Sequence, residues 1–448
     1  MKKKADEFKK LMDEMIQALK HEISTGRYEA LQYLPSEKML AERFGLSNNS
    51  VRKGLDTLVE EGWIDKIPRV GNRVRFRTAP VALTVLCNPN SVRDVYLEAL
   101  LADFRTSYPS ITVTIRTVDD NPGFAEAPND VLLLNEYQFR AMVERERAGM
   151  LESVPAKEEI YPFLRDWFTH GERLAAQPLV FGPVVLCYNK NHFVECGLQE
   201  PNGGWRWSDL MLHARKLTES GHYGFCFHLP ALNRWPLFLL QSGEGFQWEN
   251  GRIRDFRGTR LMEGIRLCKE IIHNRNVFPL YWSEGNNDIN QMFLDGKLSM
   301  VLTSYLGLNE WKQTSLDYDV SPVPFIAEPR TMAIAIAAGV NADSKHKQEA
   351  HLLVDYLSSR HAQRMIRRHT FGVPAFRDAH SGAESGNPQL PSRHSLYREM
   401  LFSYRTHRDL NIPVTMIASL FRELKAYWAD MIDEDELWER LRTQLTEP

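Results

Sequence analysis

The stretch LPSEKMLAERFGLSNNSVRKGLDTLVEEGWI, residues 34–64, decides how the head of this chain folds. Pro35 leads into Ser36, a residue type that caps helix N-termini, and Glu37 then falls in the first turn, where the helix dipole favours an acid. A helix is therefore expected from about Glu37 to Phe44. Gly45 suits the left-handed conformation that ends a helix, Leu46 plugs the corner, and Ser47 caps the next one. That next helix places Val51, Leu55, Leu58 and Val59 on an apolar face and leaves Asn48, Asn49, Ser50, Arg52, Lys53 and Thr57 on the other. Local chemistry alone spells a helix-turn-helix.

Working outward, Phe8, Leu11, Met12, Met15, Ile16, Leu19 and Ile23 recur at three- and four-residue steps, predicting an amphipathic helix upstream. Downstream, WIDKIP and RVGNRVRF read as two short strands around a turn at Gly71, a wing carrying Arg69, Asn72 and Arg73. An amide such as Asn48 or Asn49 can bond an adenine edge in two places, and Arg52 can do so to guanine. Lys53 and Ser50 suit phosphates. The expected partner is double-stranded operator DNA, read by a helix entering the major groove through its N-terminus.

The motifs LPSE, LAERFGLS and VRKGLDTLVEEGWI, with the wing, resemble the GntR family of winged-helix transcription regulators over about residues 8–76. That resemblance implies a DNA-facing set of Ser36, Lys38, Asn48, Asn49, Ser50, Arg52, Lys53, Arg69, Asn72 and Arg73. The family usually carries Arg at the positions of Lys38 and Asn48 and a third Arg retained here as Arg52, so the operator sequence should differ. One winged helix covers little duplex, so a homodimer on a two-fold site is expected.

With 448 residues, the chain is long enough for two or three cores. Its 43% hydrophobic and 25% charged residues suit globular domains, and the formal net charge is -3. Residues 1–77 hold 16 Lys and Arg against 12 Asp and Glu, and the remainder 39 against 46. The sign of that division favours an anionic partner for the head. No apolar run reaches the roughly 18 residues of a membrane span, and MKKKADEFKK lacks a signal's apolar core, so a cytoplasmic protein is expected. Cys87, Cys187, Cys196, Cys226 and Cys268 are odd in number and form no CxxC, which suits reduced thiols. The 14 histidines form no ligand-spaced pair, and no nucleophile elbow or catalytic dyad is present. No metal, cofactor or enzyme activity is expected.

After a short linker (RTAP, with the boundary set at 77–81) the pattern changes. VALTVLC reads as a strand, SVRDVYLEALLADFRTSYP as one amphipathic helix, ITVTIRTV as a strand, and NDVLLLN as a strand buried on both faces. This alternation predicts a parallel-type sheet flanked by helices. The later series FGPVVLCYNKNHF, GWRWSDLMLHARKLT, FLDGKLSMVLTSYLGLNEW, AIAIAAGVNADSKHKQEAHLLVDYLSS and IPVTMIASLFRELKAYW resembles, in order, the extracellular solute-binding proteins of sugar importers, the maltose-binding type, over residues 82–448. The fold expected is therefore multidomain: an N-terminal winged helix-turn-helix (α+β, residues 1–76), then a two-lobe α/β domain of the periplasmic-binding-protein-like type II class. The resemblance implies one lobe at about 82–184 with 338–378 and another at about 188–333 with 392–448.

In open α/β sheets ligands sit beyond the carboxyl ends of strands. That singles out Asn88, Asn90, Asn135, Glu136 and Tyr137, although Asn and Pro at such ends also make turns. The resemblance adds Asn233, Arg234, Trp235, Ser304 and Tyr305, with Trp235 expected to stack on a sugar's C–H face. Leu134 and Leu306 stand where maltose-type binders often have aromatics, which points to a smaller or less sugar-like ligand. Trp205 and Trp207 read as structural. The leading expectation is a regulator responsive to a small solute, a sugar or oligosaccharide, with lobe closure coupled to operator binding. Two alternatives are a cytoplasmic solute-binding protein whose winged helix dimerises it, and a regulator with an aminotransferase-like domain holding pyridoxal phosphate. The latter needs a Schiff-base lysine in a Ser- and Gly-rich setting, which is not found.

Overall fold

The computed structural model describes residues 2–24, 27–28, 31–68, 70–75, 81–118, 127–278, 286–380 and 390–445. The chain divides into two compact units, residues 1–82 with 103–113, and the remainder.

The head holds α1 (Lys2–Ser24), α2 (Glu37–Phe44), α3 (Asn48–Glu60), β1 (Ile64–Ile67) and β2 (Gly71–Val74). The caps are those the sequence names: the Ser36 hydroxyl accepts from the Met39 amide, Gly45 closes α2 at φ 65°, and Ser47 accepts from the Ser50 amide. Met15, Ile16, Leu19, Leu40, Val51, Leu55, Leu58, Ile64 and Val74 form one apolar core. Glu22 of α1 is buried and bonded by Arg43 of α2 and by Arg27, which ties the first two helices together through a compensated charge. β1 and β2 pair antiparallel, Ile67 opposite Gly71. The turn thus precedes Gly71, which opens the strand rather than forming the turn. Residues 77–80 of the expected linker lie outside the described residues, and Val81, expected as its last residue, opens the next strand.

The larger domain begins with β3 (Val81–Cys87), α4 (Pro89–Asp94), α5 (Leu97–Ser107), β4 (Ile111–Thr117), β5 (Val131–Asn135) and α6 (Glu136–Glu144). The single helix expected after β3 is two. Tyr96 breaks it in the left-handed region at φ 59°, with its ring stacked 4.7 Å from that of His369. There follow β6 (Gln177–Asn189), β7 (Tyr223–Cys226), α7 (Pro236–Leu240), β8 (Leu298–Ser304), β9 (Tyr318–Ser321), β10 (Thr331–Val340) and α8 (Ile417–Trp428). The main sheet runs β4-β3-β5-β10-β6-β8-β7, with β9 paired to β6.

Two long strands make this a two-lobe domain. β6 pairs with β10 over its first half, then with β8 from Val184 and with β9 from Leu186. β10 pairs with β5 from Ile336 onward. Each strand therefore crosses from one half of the sheet to the other, and both are buried along nearly their whole length, hence their unbroken apolar runs. The second half packs around a core that includes Trp207, Trp235, Phe238, Met300, Leu302, Leu420, Leu424 and Trp428.

Candidate DNA-reading and ligand sites

At the start of α3, Asn48, Asn49, Arg52 and Lys53 are exposed and Ser50 is half-buried, its hydroxyl 2.9 Å from that of Ser47. Lys38 is exposed on the first turn of α2, and Ser36 spends its hydroxyl oxygen on the cap. Arg52 is the positioned member of the group. Its Nε donates to Glu37 Oε2 at 3.2 Å and its Nη2 at 2.7 Å, so the carboxylate grips one edge of the guanidinium and leaves Nη1 without a bond among the described residues. That bond holds the Glu37 carboxyl below its ordinary range. Glu37 therefore joins the site, a residue the sequence presented only as a first-turn acid.

The wing is less open than expected. Asn72 is only 7% exposed, because residues 72 and 74 share the inward face of β2; it is removed from the DNA-facing set. Arg73 takes the other face, half-buried, with Nη2 3.8 Å from Asp65. Arg69 lies outside the described residues.

In the larger domain, several expected ligand residues turn out to hold the backbone. Asn88 caps α4 by accepting from the Asn90 amide at 2.9 Å. Asn135 caps α6 in a reciprocal box with Gln138. Asn90 is exposed. Glu136 is buried and accepts from the Ala335 amide of β10 at 3.1 Å. Tyr137 donates to the Val414 carbonyl at 3.2 Å and meets the His407 ring edge-on at 4.9 Å.

The larger corrections concern the aromatic candidates. Trp235 is fully buried, its indole stacked on Phe421 at 5.6 Å and edge-on to Trp428 at 6.2 Å. Apolar side chains of α8 take the place a sugar ring would need. Tyr305 is equally buried, stacked on His394 at 4.5 Å and donating to the His394 carbonyl at 2.7 Å. Ser304 accepts from the Gly307 amide. Asn233 and Arg234 are linked to each other by a 2.6 Å bond from Arg234 Nη1 to Asn233 Oδ1. Leu134 and Leu306 are buried.

The two halves of the sheet meet through contacts that no local motif announces. Asn309 donates to Asp94 at 3.2 Å, and Arg93 donates to Glu310 at 2.6 Å. At the other end, Glu144 accepts from the Val414 and Thr415 amides. Beside that contact lies a cavity of about 40 Å³ lined by Glu136, Tyr137, Asp166, Thr406 and His407, among others. His407 is buried, donates from Nε2 to the Leu232 carbonyl at 2.7 Å, and has no partner for Nδ1 among the described residues. Burial pulls its pKa down to about 4, so the ring is neutral and Nδ1 is an acceptor. The volume suits one or two waters, not a sugar ring.

The profile described as bacterial regulatory proteins, gntR family, matches residues 11–74. That of the bacterial extracellular solute-binding proteins matches residues 88–364, more than half of the chain. The chain belongs to the solute-binding protein family. Its head is a GntR winged helix. An ABC substrate-binding protein of Listeria monocytogenes, solved with cycloalternan, superposes at a TM-score of 0.67 with 18% identity, covering 81% of this chain and 97% of that one. The GacH receptor of Streptomyces glaucescens, solved unliganded and with acarbose, gives 0.69 with 15% identity over 82% and 97%. At such identities these likenesses establish the fold alone. A Brucella abortus (strain 2308) protein named only as a binding protein is 25% identical over 211 residues, 44% of this chain and 48% of its own length. The head is 40% identical over 50 residues to the transcriptional regulator PhnF of Escherichia coli (strain K12), 11% of this chain and 21% of that protein. The solute-binding domain thus spans about half the length of the curated relative it matches. Among the described residues, no helix is long and apolar enough to cross a membrane.

Proposed function

We propose that this chain is a cytoplasmic, ligand-responsive transcription regulator: the winged helix binds operator DNA as a homodimer, and the two-lobe domain binds a small solute, a sugar or related compound, whose capture closes the lobes and alters DNA binding. The observation that carries this reading is the union in one chain of a GntR head with exposed Asn48, Asn49, Arg52 and Lys53 and a solute-binding fold. We place the lobes at about 82–184 with 338–378 and 188–333 with 392–448, around the crossover strands. The head accounts for DNA, with Lys38, Ser50 and Arg73 as further phosphate or base contacts.

A ligand can shift such a switch only through contacts it makes better in one state than in the other, and the coupling is reciprocal. Gel shifts on the chain's own upstream region, at two salt concentrations, test the first half; a falling affinity with rising salt marks phosphate contacts. Calorimetric titration of the solute with and without operator tests the second. Equal solute affinities in both titrations would end the switch reading, and an absence of any shift with upstream DNA would end the regulator reading.

A further inference from the structure

We infer that the solute carries an anionic group, a phosphate or a carboxylate, that pairs with Arg234. The inference deepens the proposed function and rests on its two-lobe binding reading. Arg234 is 1% exposed. Its Nε donates to the Leu302 carbonyl at 2.9 Å and its Nη1 to Asn233 Oδ1 at 2.6 Å; among the described residues no carboxylate pairs with it. A buried guanidinium costs several kcal/mol of desolvation, which an ion pair or full hydrogen bonding must offset. Three other buried charges of this chain meet that requirement. Glu22 is bonded by Arg43 and Arg27, Asp94 by Arg93 and Asn309, and Glu423 by Arg422 and Arg440. Among the described residues Arg234 has two acceptors for five donors and no countercharge, and burial pulls its pKa down to about 10.

Its position in the fold points to a ligand. β7 and β8 are parallel, Tyr223 opposite Leu298, and Arg234 lies in the segment after β7 and bonds Leu302 near the end of β8. The guanidinium therefore sits at the carboxyl ends of two parallel strands, where open α/β sheets take their ligands. The same loop carries His228, whose pKa is lowered by burial and then by the charge of Arg234. The loop is also wired to the junction of the lobes, because His407 holds the Leu232 carbonyl and lines the cavity there with Glu136 and Tyr137. On this proposal the anion reaches Arg234 when the lobes part at that junction. A phosphate or carboxylate accepting from Nη1 and Nη2 supplies the missing charge in the bidentate geometry that guanidinium favours.

The experiment is a thermal-shift and calorimetry panel on the full chain, using hexoses, their 6-phosphates and their uronates at equal concentration, with inorganic phosphate and citrate alongside. A ligand bound only by the folded state raises the melting temperature by mass action. The expected result is a shift from the phosphorylated or the carboxylated member and none from its neutral parent, the two charged arms separating phosphate from carboxylate. Arg234→Lys, which keeps the charge and loses the fork, should weaken that ligand at least tenfold, and Arg234→Gln should erase the preference for charge. Should Arg234→Gln fail to fold, the lysine variant and the wild-type panel still decide. Neutral parents that bind as well as their charged counterparts would overturn the anion inference and leave the solute-binding reading standing. Shifts from phosphate or citrate but from no sugar derivative would support the anion and remove the sugar. No shift from any compound would overturn both.

Discussion

Glu144→Ala should loosen the contact between the two proposed lobes without loosening the lobes themselves. Glu144 ends α6 with its side chain 11% exposed. Its Oε1 accepts from the Val414 amide at 3.0 Å, and its Oε2 accepts from the Thr415 amide and hydroxyl at 3.0 Å each. The turn Val414–Met416 has Pro413 at its N-cap position and no side-chain cap of its own, so Glu144 supplies the cap from the other proposed lobe. Hydrogen bonds to a charged acceptor are worth about 1.5–3 kcal/mol each, but opening gives the carboxylate and both amides to water, so the three together favour closure by about 2–3 kcal/mol. That corresponds to a roughly 30- to 150-fold larger opening constant in the variant.

Amide hydrogen exchange reads this directly, because local opening releases only the amides it exposes. The Val414 and Thr415 amides should exchange roughly 30 to 150 times faster in Glu144→Ala, while those of Val185 and Leu186 in the crossover strand keep their wild-type rates. Glu144→Gln retains an acceptor oxygen and should fall between. Unchanged exchange at Val414 and Thr415, or an acceleration shared equally by β6, would refute the reasoning.

Arg52→Ala should weaken operator binding by about 1–3 kcal/mol and relax base preference at one position per half-site; a quantitative gel shift showing neither takes Arg52 out of the reading set. Glu37→Gln removes the grip on Arg52 and a negative charge near DNA, so the ratio of operator to non-operator affinity should fall while non-operator affinity rises. Both affinities moving by the same factor would count against a positioning role. Trp235→Ala should cost about 3–5 kcal/mol of stability, as for other buried indoles, seen as a lower urea midpoint; a wild-type midpoint would show that Trp235 is not core. Burial lowers His192, His394 and His407 to about 4 each. The unfolded chain then binds more protons below about 6.5, and stability should fall as pH drops from there toward 4. Asp94, raised to about 6 by burial, opposes this between about 4 and 6 as a single group against three. A melting temperature that holds or rises from pH 7 to pH 5 would contradict the balance.

The head was readable because its determinants lie within a few residues of one another. Ser36, Gly45 and Ser47 each act on a neighbour three or four positions away, so caps and helix ends follow from chemistry that the sequence states outright. The wing failed at Asn72 for an equally simple reason: a strand alternates faces, and the register that turns residue 72 inward is set by its pairing with Lys66 and not by its polarity. The collinear segments of the larger domain carried its fold class, whereas the break at Tyr96 did not show, since an apolar stripe continues through it.

The ligand site was the least legible part, and the reason is one of accounting. An Asn or Trp at a strand end advertises a ligand contact only if the protein itself leaves its polar atoms or its ring face free. Asn88 and Asn135 are consumed by the helices they start, and Trp235 by Phe421 and Trp428, partners far along the chain that no local pattern links to it. Arg234 looked no more promising in sequence than Asn233 beside it. What sets it apart is a subtraction that needs the folded chain: five donors, two protein acceptors and no countercharge among the described residues. A binding site is therefore read best from what the fold leaves unpaired, and by that measure the proposed recognition chemistry of this domain centres on a buried positive charge rather than on an aromatic platform.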